Sequence, residues 1–280
     1  MNEEILIKMK KVCPKKLEFE IVGFSQSKNG EYSFSTCKFS ALGKIRINKI
    51  TKFILDSSNG FNTIEDIARK MKDRYSIPKN VDIYADIDSA IHQMWRIGVI
   101  DIPEDNYLLD RYEAQCDSYT LRCLQYDAAE EATQMFRDHL ECTSPYINYN
   151  LATTPDTLKV SWINAIEGTF EIRDASDEVV VCMTVQPDIR IQGLRILAIM
   201  VKDKNISAAV LNQFFQFIYK IYCDVFQMST QKLPKEGFIL QYYSFEDTPC
   251  HEIFKKDGEL KKEINNKNVY IYSCKMKDFA

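Results

Sequence analysis

The stretch from Asn48 to Pro78, NKITKFILDSSNGFNTIEDIARKMKDRYSIP, constrains the fold more than any other part of the chain. Ile50, Phe53 and Ile54 share one face of a short helix. Asn59-Gly60 supplies residues that tolerate the left-handed backbone with which helices end. Thr63 then caps a second helix, with Asp66 at the position of a loose capping box. Ile64, Ile67, Ala68 and Met71 line its buried face. Pro78 closes the unit, because proline cannot continue a helical hydrogen-bond ladder. A third helix is expected from about Asp82 to Ile97, with Ile83, Ile87, Ala90, Ile91, Met94 and Trp95 as its apolar stripe. Gly98 ends it, and VIDI follows as a short strand or wing. Two small helices joined so tightly serve to brace a third.

Residues 17–47 read as three strands. LEFEIVGF alternates Leu17, Phe19 and Ile21 with Glu18 and Glu20. EYSFSTCKF alternates Tyr32 and Phe34 with Ser33 and Ser35. The turn between them holds Asn29-Gly30, a strong hairpin signal because both residues accept positive φ. GKIRIN puts Ile45 and Ile47 on one face and Lys44 and Arg46 on the other. Three strands followed by three helices make a winged helix-turn-helix domain with N-terminal strands over residues 1–102. The proline and acidic cluster of DIPEDNYLLDRYEAQCDS mark residues 103–118 as a linker.

The remainder, residues 119–280, reads as a mixed α/β domain, so the chain as a whole is α+β and α/β. YTLRCLQ is a strand. Asp127 caps the helix AAEEATQMFRDHL, with Glu130 and Glu131 at its positive end. After an irregular region around Pro145 and Pro155, TLKVSW, GTFEIRD and EVVVCMTVQ are expected as strands, the last two a hairpin over DASD. LRILAIMV is a near-continuous apolar run, as in a central strand buried on both faces. A long helix from about Ser207 to Tyr222 follows, then a strand DVFQMST, a short helix EDTPCHEIF and a final strand NVYIYSCK.

A chain of 280 residues with 45% hydrophobic composition can bury two domain cores. The net charge of −4 argues against a general nucleic-acid binder, which needs a concentrated basic face. Lys8, Lys10, Lys11, Lys15 and Lys16 form the one basic run, either a solvated mobile N-terminus or a contact for an acidic partner. Nine cysteines without a C-x-x-C pair, and three histidines, suit reduced buried thiols in a cytoplasmic protein rather than a zinc site. The start, MNEEILIKMKK, lacks the apolar core of a signal peptide, and no run has the length of a membrane span. Richness in Lys, Asn and Ile suggests an AT-rich bacterial genome.

Asn59-Gly60, Thr63-Ile64-Glu65-Asp66-Ile67-Ala68, Tyr75, Asp86-Ile87 and Ile97-Gly98-Val99-Ile100 fall in the order and spacing of a known pattern over about residues 15–102. In these motifs the first part resembles the PqqD-type recognition element of RiPP biosynthesis, RiPPs being ribosomally made and post-translationally modified peptides. The resemblance implies that the leader segment of a precursor peptide adds as a strand to the third strand's edge and packs on the third helix. Backbone hydrogen bonds then give affinity and side-chain pockets give specificity. The edge would be Lys44, Ile45, Arg46 and Ile47, and the helix side Asp88, Ile91 and Trp95. Lys44 and Arg46 would steer an acidic leader, or are the charged guard of an exposed edge. Ile91 and Trp95 are either contacts or core. The same fold could read DNA, but Asp82, Asp86 and Asp88 would repel phosphate at the start of the reading helix.

In the order strand, helix, irregular segment, hairpin, buried strand, long helix, strand, short helix, strand, the second part resembles a GNAT-type acyltransferase. That family cradles the coenzyme A pyrophosphate in a Q/R-x-x-G-x-G/A loop ahead of the long helix, through backbone N–H groups at the helix N-terminus. The stretch in that place is Val201, Lys202, then Lys204-Asn205-Ile206-Ser207-Ala208-Ala209. Both family glycines are lost, the small residues are partly kept, and Lys202 and Lys204 can meet phosphate as point charges. A plain strand-to-helix turn is the alternative. The resemblance implies acetyl-CoA or another acyl-CoA as cofactor. Its usual tyrosine acid is replaced by Phe254, which cannot donate a proton. His251 and Glu252 are titratable neighbours, Glu171 and Asp174 are candidates for a base or are solvent-facing, and Cys250 lacks the pattern of a nucleophile. The expectation is therefore a leader-peptide adaptor or chaperone with an acyltransferase-like domain, working with a modification enzyme. Its alternatives are an active N-acyltransferase of the bound peptide and, more remotely, a DNA-binding regulator.

Overall fold

The computed structural model describes residues 3–102, 106–138, 154–164, 167–188, 193–222, 238–242, 249–264 and 267–274. They divide into two compact units, Met1–Asp110 and Arg111–Ala280.

The first unit opens with helix α1 (Glu3–Lys11), where the basic run suggests a solvated tail. Met9 and Val12 decide the difference, because both are buried in the core, Met9 completely. A short strand β1 (Lys15–Lys16) pairs antiparallel with β5 (Ile100–Asp101). Strands β2 (Ile21–Gln26), β3 (Tyr32–Thr36) and β4 (Ile45–Ile47) form a separate antiparallel sheet in the order β2-β3-β4. Its inner face carries Phe34 and Ile47, both buried. The first helix of the trio, α2 (Lys49–Ser57), is capped by Asn48, whose Oδ1 accepts from the N–H groups of Ile50 and Thr51. Gly60 then takes φ of 81°, the left-handed stop read from the sequence. Helix α3 (Ile64–Tyr75) begins with the expected capping box: Thr63 Oγ1 accepts from Asp66 N–H, and Asp66 Oδ2 accepts from Thr63 N–H. Helix α4 (Tyr84–Arg96) buries Ile87, Ala90, Ile91, Met94 and Trp95, and Gly98 at φ of 71° turns the chain into β5.

Among the described residues the second unit is built on one eight-stranded sheet. Strand β6 (Glu113–Cys116) runs through residues assigned above to the linker, and pairs with β7 (Tyr119–Cys123). Strands β8 (Gly168–Arg173), β9 (Val179–Asp188) and β10 (Gly193–Val201) follow, then β11 (Phe238–Tyr242), β12 (Lys255–Ile264) and β13 (Lys267–Cys274). The order is β12-β13-β11-β10-β9-β8-β7-β6, antiparallel throughout except for the pair β10 and β11. The β8–β9 hairpin and the buried β10 lie where the sequence places them. β11 and β12 are not foreseen, and DVFQMST lies outside the described residues.

TLKVSW is not a strand. It forms helix α6 (Pro155–Ile163), after α5 (Ala129–Asp138). Thr154 caps α6 by accepting from Thr157 N–H, and Pro155 stands at its start, where a missing N–H costs nothing. Leu158 and Trp162, four apart, fall on one helical face and bury together. With α5 they cover one face of the sheet, on a cluster that includes Ala132, Phe136, Cys182, Ala198 and Met200. Helix α7 (Ala208–Lys220) covers the other face, where Phe217 meets Phe170 edge to face at 6.3 Å. With both faces covered, the central strands lose the in-out alternation of a half-exposed sheet.

Candidate functional site

Strand β10 holds the second unit's most distinctive geometry. Among the described residues its parallel pairing with β11 covers Leu194 with Phe238 and Arg195 with Ile239. Immediately beyond, the pairing of β10 with β9 skips one residue between Ile196 and Ala198, a bulge at Leu197. Among the described residues no strand pairs with the β11 side of β10 from Ile196 to Val201. The strands part toward their carboxyl ends, which is where open α/β sheets make a binding crevice.

The chain then turns through residues 202–207 into α7. Lys202 N–H donates to Val180 O at 2.8 Å, fastening the start of the turn to β9. Ile206 is buried and anchors its end, while Lys202, Lys204, Asn205, Ser207 and Ala209 are exposed and Val201 and Ala208 are half-buried. Ser207 caps α7 through Val210 N–H, and the N–H groups of Ala208 and Ala209 have no acceptor within the helix. Asp203, not among the residues singled out in the sequence, also belongs to the turn. Its Oδ1 accepts from Asn205 N–H at 2.8 Å, so a carboxylate takes one backbone donor of the turn. The local signal, Asp two residues before Asn, was present.

Glu171 is not on a solvent face: it is 2% exposed. Register alignment sets Glu113, Arg122, Glu171, Cys182 and Met200 in one row across five strands. Charge fills the edge half of the row and apolar side chains fill the centre. Arg173 Nε donates to Glu171 Oε1 at 2.6 Å, and its Nη2 reaches Glu131 on α5 at 3.3 Å. Burial pushes the Glu171 carboxyl above its ordinary range, and the Arg173 guanidinium offsets only part of that. Arg173 in turn is held charged by its bond to Glu171. Asp174 serves the hairpin turn, accepting from the N–H groups of Ser176 and Glu178. Farther along the same face, Trp162 Nε1 donates to Thr169 Oγ1, which bonds Thr184 Oγ1 at 2.8 Å.

The short helix expected over EDTPCHEIF appears, within the described residues, as a 3-10 turn over Pro249–Glu252. His251 and Glu252 are exposed and Cys250 is fully buried. Phe254 is core: it meets Phe215 of α7 edge to face at 5.3 Å. No acid stands at that position.

In the first unit, β4 is an edge strand among the described residues, with Lys44 and Arg46 exposed, Ile45 half-buried and Ile47 buried. The opposite edge, β2, is bulged between Val22 and Ser25, with Gly23 at φ of 64°. A bulge spoils pairing with an added strand, so β4 is the better template. The helix side of the expected surface is closed. Ile91 is fully buried, Trp95 is 7% exposed, and Asp88 accepts from the Tyr107 hydroxyl at 2.9 Å. Among the described residues no cluster of His, Cys, Asp and Glu could hold a metal ion, and no helix is long and apolar enough to cross a membrane.

No family model matches the chain, and no curated protein matches it. Solved structures similar to it include a ribosomal-protein-S5-alanine acetyltransferase from Vibrio fischeri, at 11% identity and TM-score 0.42, covering 60% of this chain and 98% of that one. Another is the spermidine N-acetyltransferase from Vibrio cholerae in complex with CoA and spermine, at 13% identity and TM-score 0.43, covering 59% of this chain and 99% of that one.

Proposed function

We propose that the second unit is a GNAT-like domain that takes an acyl-CoA, and that the chain acts as an acyl-CoA-dependent N-acyltransferase on a peptide captured by the first unit. The observation that carries this is the parting of β10 from β11 after two residue pairs, directly before the turn into α7. An extended thioester arm bearing amide groups fits such a place, because it can pair with the backbone of Ile196 to Val201 as an added strand would. Lys202, Lys204 and the first N–H groups of α7 then face its phosphates. When bound, acyl-CoA would supply an acyl carbon open to attack by an amine: the N–C bond forms, the S–C bond breaks, the nitrogen gives up a proton and the departing sulfur takes one. Phe254 cannot give that proton, and no side chain is assigned to the step.

The captured peptide is the leader of a ribosomally made precursor, paired with the open edge of β4 through Lys44 to Ile47. Lys44 and Arg46, both exposed, favour an acidic segment. A second reading, an adaptor that presents the peptide to a separate modification enzyme, is favoured by Asp203 and Phe254. The first places a negative charge within the phosphate turn, and the second removes the usual acid. Calorimetric titration of the full chain with acetyl-CoA and a longer acyl-CoA separates the two. Micromolar binding, weakened about tenfold (roughly 1.4 kcal/mol) by Lys202→Glu with Lys204→Glu, is the expected result. No heat at millimolar ligand would leave the adaptor.

A further inference from the structure

Beyond the last pairing with β8, Gly168 with Val185, strands β9 and β10 run on together. On that extension Arg195 stands opposite Gln186, as Ala198 stands opposite Thr184. Alternation along β9 puts Thr184, Gln186 and Asp188 on one face, and Arg195 shares it. It is the face under α6, because Thr184 bonds Thr169, which accepts from Trp162 Nε1. Arg195 and Asp188 pair there: Nε and Nη2 of the guanidinium both donate to Asp188 Oδ2, at 3.1 and 2.8 Å. The Asp188 side chain is 8% exposed and that of Arg195 is 24% exposed, so the carboxylate is the buried member and the guanidinium meets solvent. A guanidinium carries its N–H donors in a fixed fork with more than one edge. Asp188 takes the edge formed by Nε and Nη2. Among the described residues Nη1 meets no acceptor, so the edge formed by Nη1 and Nη2 is left, and such an edge takes a carboxylate through two parallel bonds.

Arg195 is also the last residue of β10 that pairs with β11 among the described residues, so it stands where the two strands part. An acyl-CoA whose phosphates meet the turn after Val201 has its thioester at the opposite end of the crevice, beside the bulge at Leu197 and next to Arg195. We propose that Arg195, held in place by Asp188, reads the acceptor through a carboxylate next to the amine to be acylated. The substrate class is then a peptide with an acidic side chain flanking its acceptor amine. This rests on the reading of the second unit as an acyl-CoA-dependent N-acyltransferase, and it gives the acceptor side of that site its chemistry. Arg195 is the specificity residue, and Asp188 is a positioning residue that acts through it. Lysine in place of Arg195 keeps the charge and loses the fork.

The test uses two amidated tetrapeptides with free N-termini, Ala-Glu-Ala-Ala and Ala-Gln-Ala-Ala. Each is titrated into the full chain, with and without saturating CoA, and followed by NMR. The side-chain Nε–H signal of Arg195, assigned by its loss in Arg195→Met, confines the readout to this site and away from β4. The glutamate peptide should shift that signal and bind about tenfold more tightly than the glutamine peptide. Equal affinities, or no binding of either, would overturn the proposal, and this comparison needs no variant to fold. Arg195→Met should bring the two peptides to within about twofold of each other, and a preference that survives it would also overturn the proposal. Arg195→Lys should keep only part of the preference. Asp188→Asn should weaken the glutamate peptide and leave the glutamine peptide unchanged, and equal weakening of both would overturn the role of Asp188. In acetyl transfer Arg195→Met should raise KM for the glutamate peptide alone, whereas an equal fall in kcat for both would make Arg195 a charge stabiliser and overturn the reading of it as a specificity residue. The wider reading fails separately. No heat with acetyl-CoA, while the glutamate preference at Arg195 holds, removes the cofactor and leaves the carboxylate site. Acetyl-CoA bound with equal peptide affinities removes this proposal alone.

Discussion

The two sheets treat polar residues in opposite ways. In the first unit, Ser25, Ser33 and Arg46 stand on a face that water reaches, and β4 ends the sheet with an open edge. In the second, helices cover both faces, and Glu171, Thr169 and Thr184 are buried to 2% exposure or less. Alternation in sequence therefore means different things in the two places. On a half-exposed sheet it separates water from core. On a sheet covered twice it separates one core from another, and a polar residue there must find a partner inside.

The sharpest way to break this contrast is to remove a buried partner. Arg173→Leu leaves the Glu171 carboxylate buried and unpaired, and should cost about 3–5 kcal/mol in urea unfolding. Glu171→Gln combined with Arg173→Leu should recover most of that. A loss under about 1 kcal/mol for Arg173→Leu would mean that the buried row tolerates a bare charge. The pH dependence has a definite sign. The folded carboxyl of Glu171 is raised from an ordinary value of 4.5, so the folded chain holds this proton more tightly than the unfolded chain. The stability it contributes is fully present below the ordinary value and is lost as pH rises through the folded value. Glu171→Gln should therefore gain on the natural chain across that window, while a constant difference would contradict the burial argument.

Backbone changes come next in size. Gly98→Ala places a Cβ at φ of 71°, 2.7 Å from Lys38 Cδ and 3.2 Å from the buried Phe39 ring. The exposed side chain of Lys38 can move aside, so the expected loss is the left-handed strain, about 1–2 kcal/mol, and more if the Phe39 ring does not give way. Thr63→Ala removes the cap from α3 and should cost about 1 kcal/mol by thermal unfolding. The smallest effect sharpens the comparison from the other side. Arg46→Ser, on the open face, should change stability by less than about 0.5 kcal/mol while weakening acidic peptides. A large loss of stability there would show that the open edge is structural.

What could be read from sequence followed the range of the interactions. The stop at Gly60, the box of Thr63 and Asp66 and the hairpin over residues 174–178 are local, and each residue type carries its own reason. The buried β10 was legible because an unbroken apolar run has few other fates. The alternating short run of α6 fits a strand as well as a helix, and the cap at Thr154 and the four-residue spacing of Leu158 and Trp162 outweigh it. β6 lay hidden in a polar stretch, since an edge strand needs only one covered face. Glu171 needed its partners: opposite charge two residues on, at Arg173, was the visible hint, but the row with Arg122 and Cys182 exists only through register. The parting of β10 from β11 leaves no local signal, because it depends on where a distant strand stops pairing.

That parting is the centre of the functional account, and amide hydrogen exchange with and without acetyl-CoA tests it most directly. The account predicts slowed exchange in β10 from Leu197 to Val201 and at Ala208 to Val210, with β4 unchanged. Exchange that stays the same in β10 at saturating acetyl-CoA, or slows only elsewhere, would contradict it.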